Sequence, residues 1–506
     1  MGSPVRAGEQ CTGSAEGHQP ARSWPGSCRF ARPSVLASAS YAPEHGPSSV
    51  PMSPFQRSSA RSRAFVAASR VALGVFCLAW IAGCASYTER TKEAFADFER
   101  GQFDRAYSAY RETKTTGSEF LAGAEAGTVA LTAGRFEDSI RELDRAMAVA
   151  QDAEREALAS AGNLEDWLLS WTLNEGAKRY VGEGYERALL HATSAIARLA
   201  RGDLEGARVE SRRANQLLES EETLYKKEYR AGGLGHFLSG LLYELDGKPD
   251  EAYIDYARMR SKGVGLALAG KALIRLGKVL GRNDEVEELE HQFGAAEPLP
   301  KGAASIVVIA GVGLGPYKRE NTLTIPTPDG VLQWSVPTFE RRPIAVGDLE
   351  LGVQGGSAPV RTVVVEDVSV VAKENLEDRL LLLSAKSAVR AVLKREMTQK
   401  LEKEVGILGR IAGDVFSILT ERADLRSWTT LPDTWQVARV FVAPGTHELR
   451  LDARGGESRA LGTFELEGGE TMFVFARTLE TRLYTHVVGG RRIETASPTE
   501  GQGATP

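Results

Sequence analysis

Gly101-Gln102-Phe103-Asp104-Arg105-Ala106-Tyr107-Ser108-Ala109-Tyr110 is the stretch that decides how the first half of the chain is read. A glycine, a large residue two on, a small one three further and a large one four beyond describe a helix starting after a tight turn. The pattern returns as Gly134/Phe136/Ser139/Leu143, Gly202/Leu204/Ala207/Ser211 and Gly247/Pro249/Ala252/Tyr256, with a degenerate copy at Gly281/Asn283/Val286. The glycines are 33, 68, 45 and 34 residues apart, and 68 is twice 34. Each position has a physical reason. Glycine closes the preceding helix in a left-handed turn that costs other residues more. The small residue lets paired helices approach, and the large one fills the gap between neighbouring pairs. A single hairpin of this kind cannot bury its apolar face, so at least three must stack.

The period resembles that of the tetratricopeptide repeat. Four or five units fit, so residues 84–295 are expected to form an all-α, TPR-like repeat domain. The 68-residue gap hides a decayed repeat or an insertion centred on Asn163–Tyr185, where Trp167 and Trp171 share a helical face with Leu164 and Leu168. An exposed aromatic patch there would be a partner site. The amphipathic stripe favours packing against neighbouring helices instead.

Glu297-Pro298-Leu299-Pro300-Lys301-Gly302 breaks the helical pattern. Residues 301–490 then read as an α+β domain. Strands are expected at Ser305–Ala310, Thr322–Ile325, Val331–Val336, Leu349–Val353 and Val360–Glu366, and again at Gln436–Val442, Glu448–Asp452, Ala460–Glu467 and Thr471–Thr478. Between the two groups come helices at about Glu374–Glu404 and Ile407–Arg422. The first mixes Arg390, Lys394 and Arg395 with Glu396, the pattern of a solvated face. Pro444-Gly445 and Gly468-Gly469 suggest two successive hairpins. Residues 491–506 are polar and expected to be a disordered tail. The fold class is therefore α+β and multidomain: an N-terminal helical repeat followed by strands flanking two helices.

Ahead of the repeat, Val71–Cys84 (VALGVFCLAWIAGC) follows Arg57, Arg61, Arg63 and Arg70. About 12 apolar residues make a signal h-region, short of the ~20 that a membrane-spanning helix needs. Ile81-Ala82-Gly83-Cys84 resembles a bacterial lipobox, in which small residues admit a peptidase and the cysteine thiolate takes a lipid. Residues 52–83 thus read as a lipoprotein signal peptide and Cys84 as the lipidation site carrying palmitate-type chains. An ordinary signal with a chance cysteine is the alternative. Residues 1–51, rich in Pro, Ser and Gly, are a disordered leader or a mis-assigned start with Met52 as initiator. Ala85 and Ser86, with no Asp, point by resemblance to proteobacterial lipoproteins toward the periplasmic face of the outer membrane.

The whole chain has 62 basic and 67 acidic residues; without the eight basic and three acidic ones before Cys84, 54 stand against 64. A net −10 argues against a nucleic-acid partner. The other three cysteines, Cys11, Cys28 and Cys77, all precede Cys84, so the body contains no disulfide and no thiolate metal site.

Two runs carry a further resemblance. Tyr180-Val-Gly182-Glu-Gly184-Tyr185-Glu186-Arg187-Ala-Leu-Leu-His191, continued by Gly202–Gln216, and Leu419-Thr-Glu421-Arg422-Ala-Asp424-Leu-Arg426-Ser-Trp428-Thr-Thr-Leu431-Pro432 resemble a bacterial lipoprotein family with tetratricopeptide-like helices, whose biochemical role is undefined. The resemblance covers most of residues 84–480 and implies a class and a compartment, with no reaction.

Within these runs Glu186 could be a general acid, His191 a base and Tyr185 a sugar-stacking ring, but no second carboxylate has an evident place opposite. Joining helices by hydrogen bonds is the plainer role. Arg422, Asp424, Arg426 and Trp428 could bind an anionic glycan or a partner carboxylate through an Arg fork. Alternatively an Arg–Asp latch ties a helix end to the sheet, with Trp428 as a core plug. Gly311-Val312-Gly313-Leu314-Gly315 lacks the helix a dinucleotide fingerprint needs, because Pro316 follows, so it reads as a glycine-rich strand exit. No histidines stand at metal-ligand spacing, and G-x-S-x-G, S-x-x-K and a phosphate-binding loop are all missing. No cofactor or metal is expected. The expected function is a membrane-anchored periplasmic lipoprotein that scaffolds envelope proteins. A glycan-active enzyme or polysaccharide-export component, and a soluble scaffold with Cys84 unmodified, are the alternatives.

Overall fold

The computed structural model describes residues 86–160, 179–295, 298–327, 330–354, 358–379 and 424–493, of which 157–160, 322–327 and 330–336 are described by their backbone alone. The helical half comprises α1 (Tyr87–Glu99), α2 (Phe103–Tyr110), the short α3 (Thr113–Thr116), α4 (Glu119–Thr132), α5 (Phe136–Ser160), α6 (Gly184–Ala200), α7 (Leu204–Tyr225), α8 (Gly233–Leu245), α9 (Pro249–Ser261), α10 (Leu266–Leu280) and α11 (Asn283–Phe293). They pair as α1/α2, α4/α5, α6/α7, α8/α9 and α10/α11. All five motif glycines sit between the two helices of a pair with positive φ: +76° at Gly101, +75° at Gly134, +83° at Gly202, +69° at Gly247 and +72° at Gly281. The small motif residues Ala106, Ser139, Ala207 and Ala252 are buried, as are Tyr110, Leu143, Ser211 and Tyr256. Across the long gap α5 packs directly on α6. Most of the intervening segment, including Trp167 and Trp171, lies outside the described residues.

The repeat also fixes buried polar pairs. Eight residues past the motif glycine stand Glu142, Glu210 and Asp255; eleven before it stand His191 and His236. His191 Nδ1 meets Glu210 Oε2 at 2.5 Å, and His236 Nδ1 meets Asp255 Oδ1 at 2.8 Å, joining the two helices of successive pairs in the same way. The equivalent of the histidine in the α4/α5 pair is Gly123, and Glu142 turns instead to Arg111 at 2.8 Å.

The strand-rich half begins after Gly302. One sheet has the order β11-β10-β1-β7-β6, formed by Arg482–Val488, Thr471–Leu479, Ala304–Val312, Thr434–Val442 and Val363–Asp367. β1 lies at its centre, parallel to β10 and antiparallel to β7. A second sheet has the order β12-β9-β8-β4-β5, from Arg491–Ile493, Ser458–Leu466, Gly445–Ala453, Leu349–Val353 and Val360–Arg361. β2 (Tyr317–Thr327) and β3 (Gly330–Glu340) form a separate two-stranded ribbon. A helix over residues 368–379, α12, follows β6; the remainder of the expected long helix and all of the second lie outside the described residues.

Side chains alternate across a strand, and β1 buries both of its faces. Ile306 and Val308 face Val440, Leu449, Leu451, Phe464 and Val474 between the two sheets. Val307 and Ile309, with Trp435, Val437, Phe473 and Phe475, belong instead to the cluster that holds Leu121, Leu190, Phe237 and Leu273 of the helices. Helices and first sheet therefore share one core, and the first sheet is its middle layer.

The two expected hairpins do not form. β7 and β8 do not pair across Pro444-Gly445, nor β9 and β10 across Gly468-Gly469; at each turn the chain crosses from one sheet to the other. The hairpins are β8–β9 and β10–β11. Turn chemistry marks a reversal but not which sheet receives the next strand, and burial of both faces of β7 and β10 is what puts them in the middle layer. β11 was not expected as a strand, and β12 pairs Arg491–Ile493, at the start of the supposed tail, with β9.

Candidate functional site

The first helices of the pairs, α1, α4, α6, α8 and α10, all meet the strand-rich half. Arg482 donates to Glu99 O and His486 contacts Thr132 O. Glu366 on β6 accepts the N–H groups of Gly232 and Leu234 at the start of α8, where unpaired donors are aligned. Arg439 on β7 and Arg275 on α10 both bond Glu244 at the end of α8.

Against this face runs an irregular segment, Asp424–Asp433, with a turn at Thr429-Thr430. α4 is apolar and buried along nearly its whole length, yet it holds Glu125. A buried carboxylate must be hydrogen-bonded to be tolerated. Its Oε1 accepts Thr429 N at 2.7 Å, Thr429 Oγ1 at 2.9 Å and Tyr87 OH at 2.5 Å, and its Oε2 accepts Thr430 N at 2.9 Å. Glu186, third in α6, forms a capping box with Glu183. Its Oε2 accepts Glu183 N at 3.0 Å and Tyr180 OH at 2.6 Å; its Oε1 accepts Trp428 N at 2.7 Å and Tyr185 OH at 3.3 Å. Trp428, 1 % exposed, donates its indole N–H to Thr128 Oγ1 at 3.1 Å.

The sheet grips the same segment from the other side. Arg477 donates to Thr430 O at 3.2 Å, Gly315 N to Leu431 O at 2.7 Å, and Asp433 N to Val312 O at 3.0 Å. A Cβ on Gly315 would stand 3.0 Å from Leu431 O, and one on Gly311 3.2 Å from Pro432 Cβ. The glycine run is thus a close approach between two stretches of backbone. Gly313 N is taken by Thr478 Oγ1, and β2 starts at Tyr317, so no helix follows to receive a pyrophosphate.

Electrostatics follow from burial. Desolvation, then the nearby Glu183, raises the Glu186 carboxyl to about 7, against the pull of Lys318 and of the Tyr180 and Trp428 donors. Burial raises Glu125 too, opposed by the hydrogen bonds from Thr430, Tyr87 and Thr429. Beside them lies a charged cluster: Lys318 and Arg379 on Glu183, and Arg187 with Asn375 on Glu221. Arg477, fully buried among carbonyl oxygens, is lowered to about 9 by desolvation.

Two groups that are distant in sequence therefore meet. Glu186, which also accepts from Tyr185 OH, bonds Trp428, while Arg426 pairs with Asp424 at 2.6 Å and covers the Tyr180 ring at 4.9 Å. His191 is engaged by Glu210, away from this cluster. Arg422 and Cys84 lie outside the described residues. Sequence reasoning missed Glu125, Thr429, Thr430 and Arg477. A signal for the first was present, since a lone acid in the apolar run Phe120–Leu131 needs buried donors. His236, Ser239 and Asp255 form no catalytic relay, because Ser239 Oγ donates to Asp255 at 2.6 Å on the same carboxylate that His236 contacts. Among the described residues no cluster of His, Cys, Asp or Glu could hold a metal, and no helix is long and apolar enough to cross a membrane.

Fold and site define a class: a TPR-like helical repeat whose first-helix face is covered by the strand-rich half of the same chain. No protein-family model and no curated protein matches the sequence. Among solved structures the chain is similar to MamA, with 17 % identity, 40 % of this chain and 91 % of that one covered and a TM-score of 0.27. It is similar also to TTC0263, a TPR protein of Thermus thermophilus, with 14 % identity, 41 % and 90 % coverage and a TM-score of 0.22. PilW, a type IV pilus biogenesis factor, gives 14 %, 40 %, 90 % and 0.22. At these scores the likenesses add nothing to the description of the fold above.

Proposed function

We propose that the chain is a lipid-anchored scaffold of the bacterial cell envelope, attached through Cys84 at the periplasmic face of the outer membrane and engaging protein partners. The observation that carries this reading is the lipobox-like Ile81-Ala82-Gly83-Cys84 standing immediately before a stack of helical hairpins. Stacked hairpins build extended surfaces suited to proteins. In this chain the first-helix face is occupied by its own strands, so partners dock on the outer helices, α5, α7, α9 and α11, or on the outer face of the second sheet. Of the groups that a glycan-active enzyme would use, Glu186 accepts four hydrogen bonds, His191 is held by Glu210 and Arg426 pairs with Asp424.

Palmitate labelling of the wild type against Cys84→Ser, with membrane fractionation, tests the anchor. Label and membrane association are both expected to vanish in the variant; an unlabelled wild type contradicts the reading. Crosslinking in the native envelope followed by affinity purification tests the scaffold. A specific protein is expected, and repeated recovery of none contradicts it.

A further inference from the structure

The described residues begin almost at the proposed anchor. Ser86 is the N-cap of α1, its side chain accepting from Glu89 N at 3.3 Å, and only Ala85 separates it from Cys84. Two Cα-to-Cα steps span about 7 Å at most. Nor can α1 unwind cheaply to lengthen this tether. Tyr87 is buried and donates to Glu125, the carboxylate that also holds Thr429 and Thr430. Thr91 is buried behind it and bonds Tyr87 O at 2.9 Å. Arg90 donates to Thr116 O at 3.2 Å, which fixes the turn carrying α3 beside the start of α1.

We propose that the N-terminal end of α1 and the adjoining 112–117 turn face the lipid headgroups, holding the body flush against the bilayer rather than on a flexible stalk. This rests on the acylation of Cys84 proposed above. The surface concerned exposes Thr88, Glu89, Arg90, Glu112 and Lys114. With so short a tether, these groups lie near the ~8 Å over which headgroup charge acts at physiological salt. Their signs cancel: Arg90 and Lys114 stand against Glu89 and Glu112. The covalent tether, not attraction to anionic lipid, therefore sets the geometry, and the contact is insensitive to salt.

The test uses the full acylated protein in vesicles of phosphatidylethanolamine and phosphatidylglycerol. Once Cys84 is acylated the mature chain has no other cysteine, so a fluorophore on Thr88→Cys or, separately, Lys114→Cys reports one site. Nitroxide lipids labelled at the headgroup are expected to quench both fluorophores, equally at low and high salt. Inserting ten Gly/Ser residues between Ala85 and Ser86, which adds about 17 Å of root-mean-square reach, abolishes most of that quenching. Quenching that is unchanged by the insertion, or absent without it, in protein shown to be acylated overturns the orientation alone. A sample with no acyl group on Cys84 overturns anchor and orientation together.

Discussion

Glu125 and Thr429 stand 304 residues apart, yet Thr429 donates both its backbone N–H, at 2.7 Å, and its hydroxyl, at 2.9 Å, to one oxygen of the Glu125 carboxylate. With Glu186 and Trp428 this makes the 424–433 segment a shared element of the helical and strand-rich halves. The stack of hairpins is closed on its first-helix side by the chain that follows it.

Glu125→Gln retains size but turns an amide N–H₂ toward donors that need an acceptor. Leaving buried donors unmatched is expected to cost about 2–4 kcal/mol. Chemical denaturation followed by far-ultraviolet and near-ultraviolet circular dichroism should give one coincident transition, shifted to lower denaturant. Two separated transitions would show that the halves unfold independently.

The motif glycines separate conformational cost from steric cost. Gly247, at φ +69°, has nothing within 4 Å of an added Cβ, so Gly247→Ala should lose only the left-handed preference, about 1–2 kcal/mol. Gly134, at φ +75°, would drive its Cβ into the His486 ring, and Gly134→Ala should lose clearly more. Equal melting temperatures for the two variants would contradict this packing of β11 against the α4/α5 turn.

Much of this is legible in the sequence. The period of Gly101, Gly134, Gly202, Gly247 and Gly281 is a local property, because each turn needs its own glycine, and it located the hairpins. β1 and β4 were legible for the same reason, as short apolar or alternating runs. What was hidden depends on partners far away. Nothing near Thr429 indicates that its amide points at Glu125, and nothing at Pro444-Gly445 indicates a crossing between sheets. Trp428 was open to reading as a plug, but the site it fills is made by residues of α4 and α6 some 240 to 300 positions earlier.

Stability should depend on pH through two buried carboxyls. Burial raises Glu186 to about 7, and burial likewise raises Glu366 to about 7 against the opposing N–H groups of Leu234 and Gly232. A folded value above the unfolded one means that the folded state binds the proton more tightly. Their contribution is full below the unfolded value of about 4.5 and is lost as pH rises through about 7. Glu186→Gln and Glu366→Gln should each flatten the decline in stability between pH 5 and pH 8, whatever they do to its level. Denaturant midpoints at the two pH values supply the check; an unchanged slope in both variants would contradict the assignment.

The central claim is that the chain's own Trp428–Thr430 segment fills the first-helix face as a permanent part of the core. Amide hydrogen exchange of Trp428, Thr429 and Thr430 tests it most directly. These three amides, each bound to a buried glutamate, are predicted to exchange only through global unfolding, with the same opening free energy as the Val129 amide in α4. Exchange of the segment at a markedly lower opening free energy, while Val129 stays protected, would contradict the account.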